Sequence, residues 1–207
     1  STDEVFGSLN FNSFFNENSN YNPSSPYSAS KAAADHLVKA WYKTYGLPIL
    51  LTNCSNNYGP FQFPEKLIPL IIMNALNEKE LQIYGDGQQE RDWLFVDDHA
   101  KALHQVISHG KIGETYHLSS DEYISIKFLV KRIASLLKVD LKKFAIMEKN
   151  ERLGKDTAYK LSSKKIFKEL KWKSTKSIDY GIKDTIRWIK EDFNKLKKKK
   201  IEYIHKK

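Results

Sequence analysis

The sequence predicts an α/β protein built around parallel strands. Short apolar runs alternate with longer stretches of helical periodicity along the whole chain. The run Leu47–Thr52 lacks the polar alternation of a half-exposed strand, as expected for a parallel strand covered on both faces. Segments rich in Asn, Ser, Gly and Pro separate these elements and supply loop chemistry.

Taken in order, Ser1–Gly7 reads as the end of a strand entering a loop, and the polar stretch Asn10–Pro26 continues that loop. Pro26 and Tyr27 lead into a helix that runs to about Tyr45 and is closed by Gly46 and Pro48. Leu47–Thr52 is the buried strand, Asn53–Pro60 a loop, and Glu65–Asn77 a second helix. Leu81–Tyr84 and Asp92–Val96 are strands on either side of the turn at Gly85-Asp86-Gly87. Asp97 or Asp98 is the expected cap of a helix ending near Ser108. Thr115–Leu118 is a strand. Ser125–Leu137 is an amphipathic helix with Phe128, Leu129, Ile133, Leu136 and Leu137 on one side. Helices near Ser162–Leu170 and Ile178–Phe193 complete the pattern, and no internal repeat is present.

Bulk properties narrow the function classes. A chain that is 41% hydrophobic and 13% aromatic can fill a core. No apolar run reaches the roughly 18 residues of a membrane span, and Ser1-Thr2-Asp3-Glu4 is no signal peptide. One cysteine, Cys54, excludes an internal disulfide and fits a reducing compartment. The expectation is a soluble cytoplasmic protein without a membrane partner. Of the net charge of +9, seven lysines against Glu202 place +6 in Lys195–Lys207, so the other residues carry only +3. That reads as a solvated basic tail, and no zinc-finger, helix-turn-helix or RNP pattern supports nucleic-acid binding. The histidines and Cys54 show no metal-ligand spacing, so no metal is expected. Cys54 has no histidine beside it in sequence and reads as a packed thiol. Trp41, Trp93, Trp172 and Trp188 read as packing residues.

Two segments carry the chemistry. In Ser1-Thr2-Asp3-Glu4-Val5-Phe6-Gly7, a hydroxyl and two adjacent carboxyls stand at the end of a strand, where open α/β sheets bind ligands. In Ser25-Pro26-Tyr27-Ser28-Ala29-Ser30-Lys31-Ala32, Tyr27 and Lys31 are four apart and share a helix face. An ammonium beside a phenol favours phenolate, which equips the tyrosine to accept a proton from a hydroxyl. The same spacing at Tyr123/Lys127 and Tyr203/Lys207 lacks the Ser-Ala-Ser insert and carries no role.

Together these segments resemble the extended short-chain dehydrogenase/reductases, and within them the dTDP-glucose 4,6-dehydratases. The resemblance continues through Thr52-Asn53-Cys54-Ser55-Asn56-Asn57-Tyr58-Gly59-Pro60 and Phe63-Pro64-Glu65-Lys66-Leu67-Ile68-Pro69. It extends through Ile83-Tyr84-Gly85-Asp86-Gly87 and Arg91-Asp92-Trp93-Leu94-Phe95-Val96-Asp97-Asp98-His99-Ala100, to about Trp188. It implies the C-terminal part of a Rossmann-type doubly wound parallel sheet plus a smaller α/β substrate-binding domain. Residues 1–62 would be what remains of the NAD-binding domain, with 92–118 returning to it. Residues 63–194 would be mainly the nucleotide-sugar domain, and 195–207 the tail. A homodimer is implied for the full-length protein.

The resemblance also implies roles. Epimerases and decarboxylases of this fold usually lack the Asp-Glu pair, which water elimination requires. Tyr27 would remove the 4-hydroxyl proton as NAD takes hydride from C4. Glu4 would then remove the C5 proton, Asp3 protonate the departing 6-hydroxyl, and hydride return to C6. Thr2 would hydrogen-bond the oxygen at C4. Tyr27, Lys31 and Asn57 are the implied NAD contacts. Asn56, Lys66, Leu67, Gln82, Ile83 and Tyr84 are implied substrate contacts, with Gln82 standing where proline is usual. Arg91 matches an arginine on the diphosphate, a use suited to its forked donors. Glu151-Arg152-Leu153-Gly154-Lys155-Asp156 resembles Asp-Arg-Pro-Gly-His-Asp, implying contacts from Arg152 and Lys155. Ser125 stands where an asparagine contact is usual, and Ala158 where an arginine is common. These departures leave thymine and uracil both open.

None of the nine glycines forms G-x-x-G-x-x-G or G-x-G-x-x-G, the phosphate-cradling turn of dinucleotide folds. The expectation is therefore an N-terminally truncated enzyme, missing on the order of 100 residues before Ser1, which alone is inactive. A non-catalytic fragment, or a related UDP-sugar dehydratase or epimerase, stands as the alternative.

Overall fold

The computed structural model describes residues 1–9, 13–141, 145–148 and 158–199. The elements are a 3-10 turn Asp3–Phe6, α1 (Pro26–Tyr45), β1 (Leu51–Cys54), β2 (Asn56–Tyr58), α2 (Leu67–Leu76), β3 (Leu81–Tyr84), β4 (Glu90–Phe95) and α3 (Val96–His109). There follow β5 (Thr115–Leu118), β6 (Tyr123–Ser125), α4 (Ile126–Leu137), β7 (Ala145–Glu148), α5 (Lys164–Leu170), α6 (Ile178–Glu191) and α7 (Phe193–Leu196). They form two compact units: Ser1–Asn57 with Gln89–Ile124 and Leu153–Thr175, and Tyr58–Gln88 with Ser125–Arg152 and Lys176–Lys207. No helix among the described residues is long and apolar enough to cross a membrane.

In the first unit, β1 pairs in parallel with β5, Leu51 opposite Thr115 through Cys54 opposite Leu118. The strand therefore begins later than the apolar run Leu47–Thr52 implies. Only the stretch facing the four residues of β5 can close a ladder, and Pro48 has no N–H to offer one. A three-stranded sheet has the order β2-β4-β6. One core joins Leu94 of β4, Ala102 and Val106 of α3, Tyr116 and Leu118 of β5, and Ile166, Leu170 and Trp172. A smaller one joins Val5, Phe6, Ala32 and Leu161, with Phe15 and Tyr21 packed against it. Gly7 (φ +80°) meets Asn22, whose carbonyl oxygen would lie 2.4 Å from any Cβ there. That close approach turns the chain out of the 3-10 segment as only glycine permits.

Helix α1 starts and stops as its sequence dictates. Ser25 and Ser28 cap each other's backbone N–H (3.0 and 3.1 Å), Pro26 opens the first turn, and Gly46 closes the helix. Helix α3 departs from expectation. Neither Asp97 nor Asp98 caps it, since Phe95 occupies that position. Asp98 is buried and accepts bonds from Ser174 Oγ (3.0 Å), the Thr175 N–H (2.7 Å) and Thr175 Oγ1 (2.9 Å). It ties α3 to the segment after α5, because a buried carboxylate is stable only where donors converge on it. Trp93 and Trp172 are buried, whereas Trp41 is 49% exposed on α1 and does not pack as its sequence reading held.

In the second unit, α2 packs on α4, α6 and β3, and β3 pairs in parallel with β7. Ile68, Ile71, Ile72, Met73, Leu129, Ile133, Ile182 and Ile189 form its fully buried interior, with Trp188 also buried. The buried face of α4 is Leu129, Val130, Ile133 and Ala134, and Phe128 is 50% exposed. The apolar stripe is thus rotated from the expected one by about one residue. Strands β2 and β7 had no counterpart in the sequence reading, whereas Tyr123–Ser125 leads directly into α4, the strand-to-helix junction expected at Tyr123/Lys127.

Candidate active site

Thr2 lies beside Cys54 in a parallel bridge at the end of β1, and from there the chain enters the 3-10 turn. Thr2 Oγ1 donates to Asp3 Oδ1 (3.1 Å) and accepts the Glu4 N–H (3.3 Å), locking the turn. Asp3 is only 2% exposed, and its Oδ2 has no partner among the described residues. Burial raises its pKa from 3.8 to about 7, with the charges of Glu4 and Asp92 acting the same way. The Thr2 hydrogen bond and the Arg91 charge oppose the rise. Asp3 thus holds its proton close to neutrality.

Tyr27 and Lys31 lie one turn apart near the start of α1. Tyr27 is 56% exposed. Its pKa is raised, by partial burial first and then by the negative groups Glu4, Cys54 and Asp3. The expected lowering by Lys31 is therefore not what this arrangement gives, because three acidic groups act on the phenol.

A buried strut joins these two halves. Asn53, fully buried in β1, donates through Nδ2 to the Thr2 carbonyl (3.1 Å) and to Asp35 Oδ2 (3.4 Å). Asp35 lies one helical turn past Lys31 and also accepts the Tyr21 hydroxyl at 2.9 Å. The acid–base loop and the tyrosine helix are thereby held by one side-chain amide. Sequence reasoning assigned Asn53 to a loop and missed this, since nothing local in the chain pairs residues 2, 35 and 53.

Cys54 is a half-buried free thiol, donating to the Ser1 carbonyl (3.4 Å) and accepting from Asn57 Nδ2 (3.3 Å). Burial raises its pKa, with the charge of Asp3 adding to the rise, so the thiol form is favoured. Asn56 Oδ1 is buried without a partner among the described residues. On β4, Arg91 donates from Nη1 to the Glu90 carbonyl (2.7 Å). Asp92 beside it is wholly buried and accepts the Ser120 N–H (3.1 Å) and the Ser120 hydroxyl. Burial pushes its pKa to about 6, against bonds from Ser119, Ser120 and Ser55.

The second unit carries the other expected substrate residues. Lys66 precedes α2 and pairs with Glu65 at 3.4 Å, and Leu67 opens that helix. In β3, Gln82 is exposed, Ile83 is buried in the unit's core, and Tyr84 ends the strand. Ser125 accepts the Phe128 N–H (3.2 Å) as the N-cap of α4. Arg152 and Lys155 lie outside the described residues. Among the described residues no group of His, Cys, Asp and Glu could hold a metal. Tyr27 and Lys31 present a phenol and an ammonium in series, a donor set that fits ribose hydroxyls, and Asn57 adds a carboxamide held by Cys54. These groups are compatible with the NAD contacts that the resemblance implies for them.

Residues 1–185 match the GDP-mannose 4,6 dehydratase family. The dTDP-glucose 4,6-dehydratase of Neisseria meningitidis serogroup B is 48% identical over 198 residues, covering 91% of this chain and 56% of that protein. Among solved structures, the dTDP-glucose 4,6-dehydratase of Bacillus anthracis in complex with NAD superposes with a TM-score of 0.88 at 40% identity. That match covers 94% of this chain and 61% of the other. The dTDP-glucose 4,6-dehydratase DesIV of Streptomyces venezuelae, solved with NAD bound, gives 0.89 at 38% identity, covering 93% and 59%. The chain thus spans a little over half the length of the curated relative and about three-fifths of each solved chain.

Proposed function

The chain belongs to the GDP-mannose 4,6 dehydratase family, and from that premise we propose that it carries the acid–base and substrate-binding part of an NAD-dependent dTDP-glucose 4,6-dehydratase. The observation that carries this reading is the buried, proton-retaining Asp3 next to Glu4 on a turn facing the tyrosine helix. Elimination of water needs one carboxyl that keeps a proton and one that accepts one, held side by side. Asp3 donates its proton to the departing 6-hydroxyl, and Glu4 takes the proton from C5. Tyr27 would accept the 4-hydroxyl proton, a role that requires its raised pKa to fall on ligand binding, and Thr2 would orient the C4 oxygen. Tyr27, Lys31 and Asn57 would hold NAD, which when bound would supply hydride-acceptor and hydride-donor chemistry. By family resemblance, Asn56, Lys66, Leu67, Gln82, Ile83, Tyr84, Arg91, Ser125, Arg152 and Lys155 are the proposed nucleotide-sugar contacts, Ile83 only through its backbone because its side chain is buried. In the same reading, 1–62 with 92–118 belong to the NAD-binding domain and 63–194 mainly to the substrate domain, and the full-length protein is a homodimer.

The test is an assay with dTDP-glucose on a protein extended to the length of its relatives. It should yield dTDP-4-keto-6-deoxyglucose without added reductant, and a 4-epimer as sole product would overturn the reading. The 207 residues alone contain no glycine-rich phosphate turn. They are expected to bind NAD at millimolar strength or weaker, about −4 kcal/mol, and to form no 4-keto product, which calorimetric titration and the same assay will check.

A further inference from the structure

We propose that Tyr159 is a positioning residue that fixes the guanidinium of Arg91 for the diphosphate of a nucleotide ligand. This rests on the nucleotide-sugar reading above and adds a residue that no motif singled out.

The segment Ala158–Leu161 runs beside β4 as a short strip. Ala158 forms a parallel bridge with Glu90, and Leu161 with Phe15. The Leu9 N–H donates to the Ala158 carbonyl (3.2 Å) and the Phe15 N–H to the Lys160 carbonyl (2.8 Å), so the strip is held on its other edge as well. Side chains alternate along such a strip. Lys160, buried, meets Glu90 with Nζ 2.5 Å from Oε2, and its ammonium also lies 5.2 Å from the Tyr123 ring. Tyr159, one residue earlier, lies under Arg91, whose guanidinium carbon is 4.6 Å from the ring centroid. Tyr159 is itself buried, with neighbours anchored on both sides, so its ring is a fixed surface.

A ring beneath a guanidinium attracts the cation through its face. The N–H donors point in the plane of the group, so stacking does not compete with a forked hydrogen bond to phosphate oxygens. The Arg91–Glu90 carbonyl bond fixes a further point of the side chain. Arg91 therefore meets an incoming diphosphate with much of its rotamer freedom already spent, which is how preorganisation raises affinity.

The experiment is calorimetric titration of the 207-residue chain with dTDP and with thymidine. The unsubstituted chain should bind dTDP more tightly than thymidine. Tyr159→Leu should weaken dTDP binding by about two- to tenfold, the cost of immobilising one rotamer-rich side chain on binding. It should leave thymidine binding unchanged, and Tyr159→Phe should restore the wild-type value. Tyr159→Met provides a second ringless variant in case leucine is not accommodated. In an Arg91→Met background, Tyr159→Leu should have no further effect. Equal weakening toward both ligands, or dTDP affinity that survives both ringless variants, would overturn the role of Tyr159 while leaving the nucleotide-sugar reading intact. Failure of the unsubstituted chain to prefer dTDP would overturn that reading and this inference with it.

Discussion

Replacing Asp3 by asparagine isolates the electrostatic cost of the acid–base loop. Asparagine keeps an oxygen for the Thr2 hydroxyl, so the 3.1 Å bond that organises the turn is retained and the charge is removed. The folded state raises the Asp3 pKa from 3.8 to about 7, chiefly by burial. A carboxyl with a raised pKa binds its proton more tightly when folded. Wild-type stability from this group is therefore greatest below about pH 4, falls as pH rises to about 7, and is constant above. At about 1.4 kcal/mol per pH unit, the advantage of Asp3→Asn over wild type should grow by roughly 4 kcal/mol across that window. Asp92, raised to about 6, acts with the same sign. His117, pushed down to about 4 by burial, acts with the opposite sign because its buried ring must stay neutral. Asp92 leaves behind its coupling to Asp3, a smaller effect than burial, whereas His117 is present in both proteins and cancels in the difference. Guanidinium unfolding of each chain from pH 4 to 8, followed by tryptophan fluorescence, measures it. A difference that does not change with pH would refute the argument that Asp3 is held protonated by its surroundings.

Two further perturbations separate the roles within the site. In the protein extended to its relatives' length, Glu4→Gln should slow water loss far more than the first appearance of NADH, while Tyr27→Phe should suppress NADH formation itself. Single-turnover absorbance distinguishes the two, and loss of NADH in Glu4→Gln with elimination intact would reverse the assignments. Asn53→Leu removes the amide that serves both the Thr2 carbonyl and Asp35. Leaving the Thr2 carbonyl without this donor, and Asp35 with the Tyr21 hydroxyl alone, should cost about 1–3 kcal/mol, read from thermal melting of the chain. A loss below about 0.5 kcal/mol, the level of an ordinary surface change, would show that the strut carries no weight.

Much of this protein is decided locally and is therefore written in the chain. Ser25-Pro26 and Gly46 bracket α1 because a cap, a fixed φ and a left-handed turn are short-range matters. Thr115–Leu118 is a strand as its sequence states. Thr2-Asp3-Glu4 and Tyr27 with Lys31 stand out through the resemblance of their whole motifs to a family, since the Tyr-x-x-x-Lys spacing alone recurs at Tyr123/Lys127 and Tyr203/Lys207. What only the tertiary structure decided depends on partners far away in sequence. The start of β1 is set by which residues β5 faces, so the apolar run Leu47–Thr52 misplaced it. Phe128 and Trp41 carry no mark distinguishing an exposed ring from a buried one, because that depends on what packs opposite. Sequence pattern makes Asp98 a candidate helix cap, yet it lies within α3, where Ser174 and Thr175 draw it inward. The proton on Asp3 follows the same rule. Its identity is in the sequence, but its pKa is set by desolvation, which depends on what the whole fold excludes from one carboxyl.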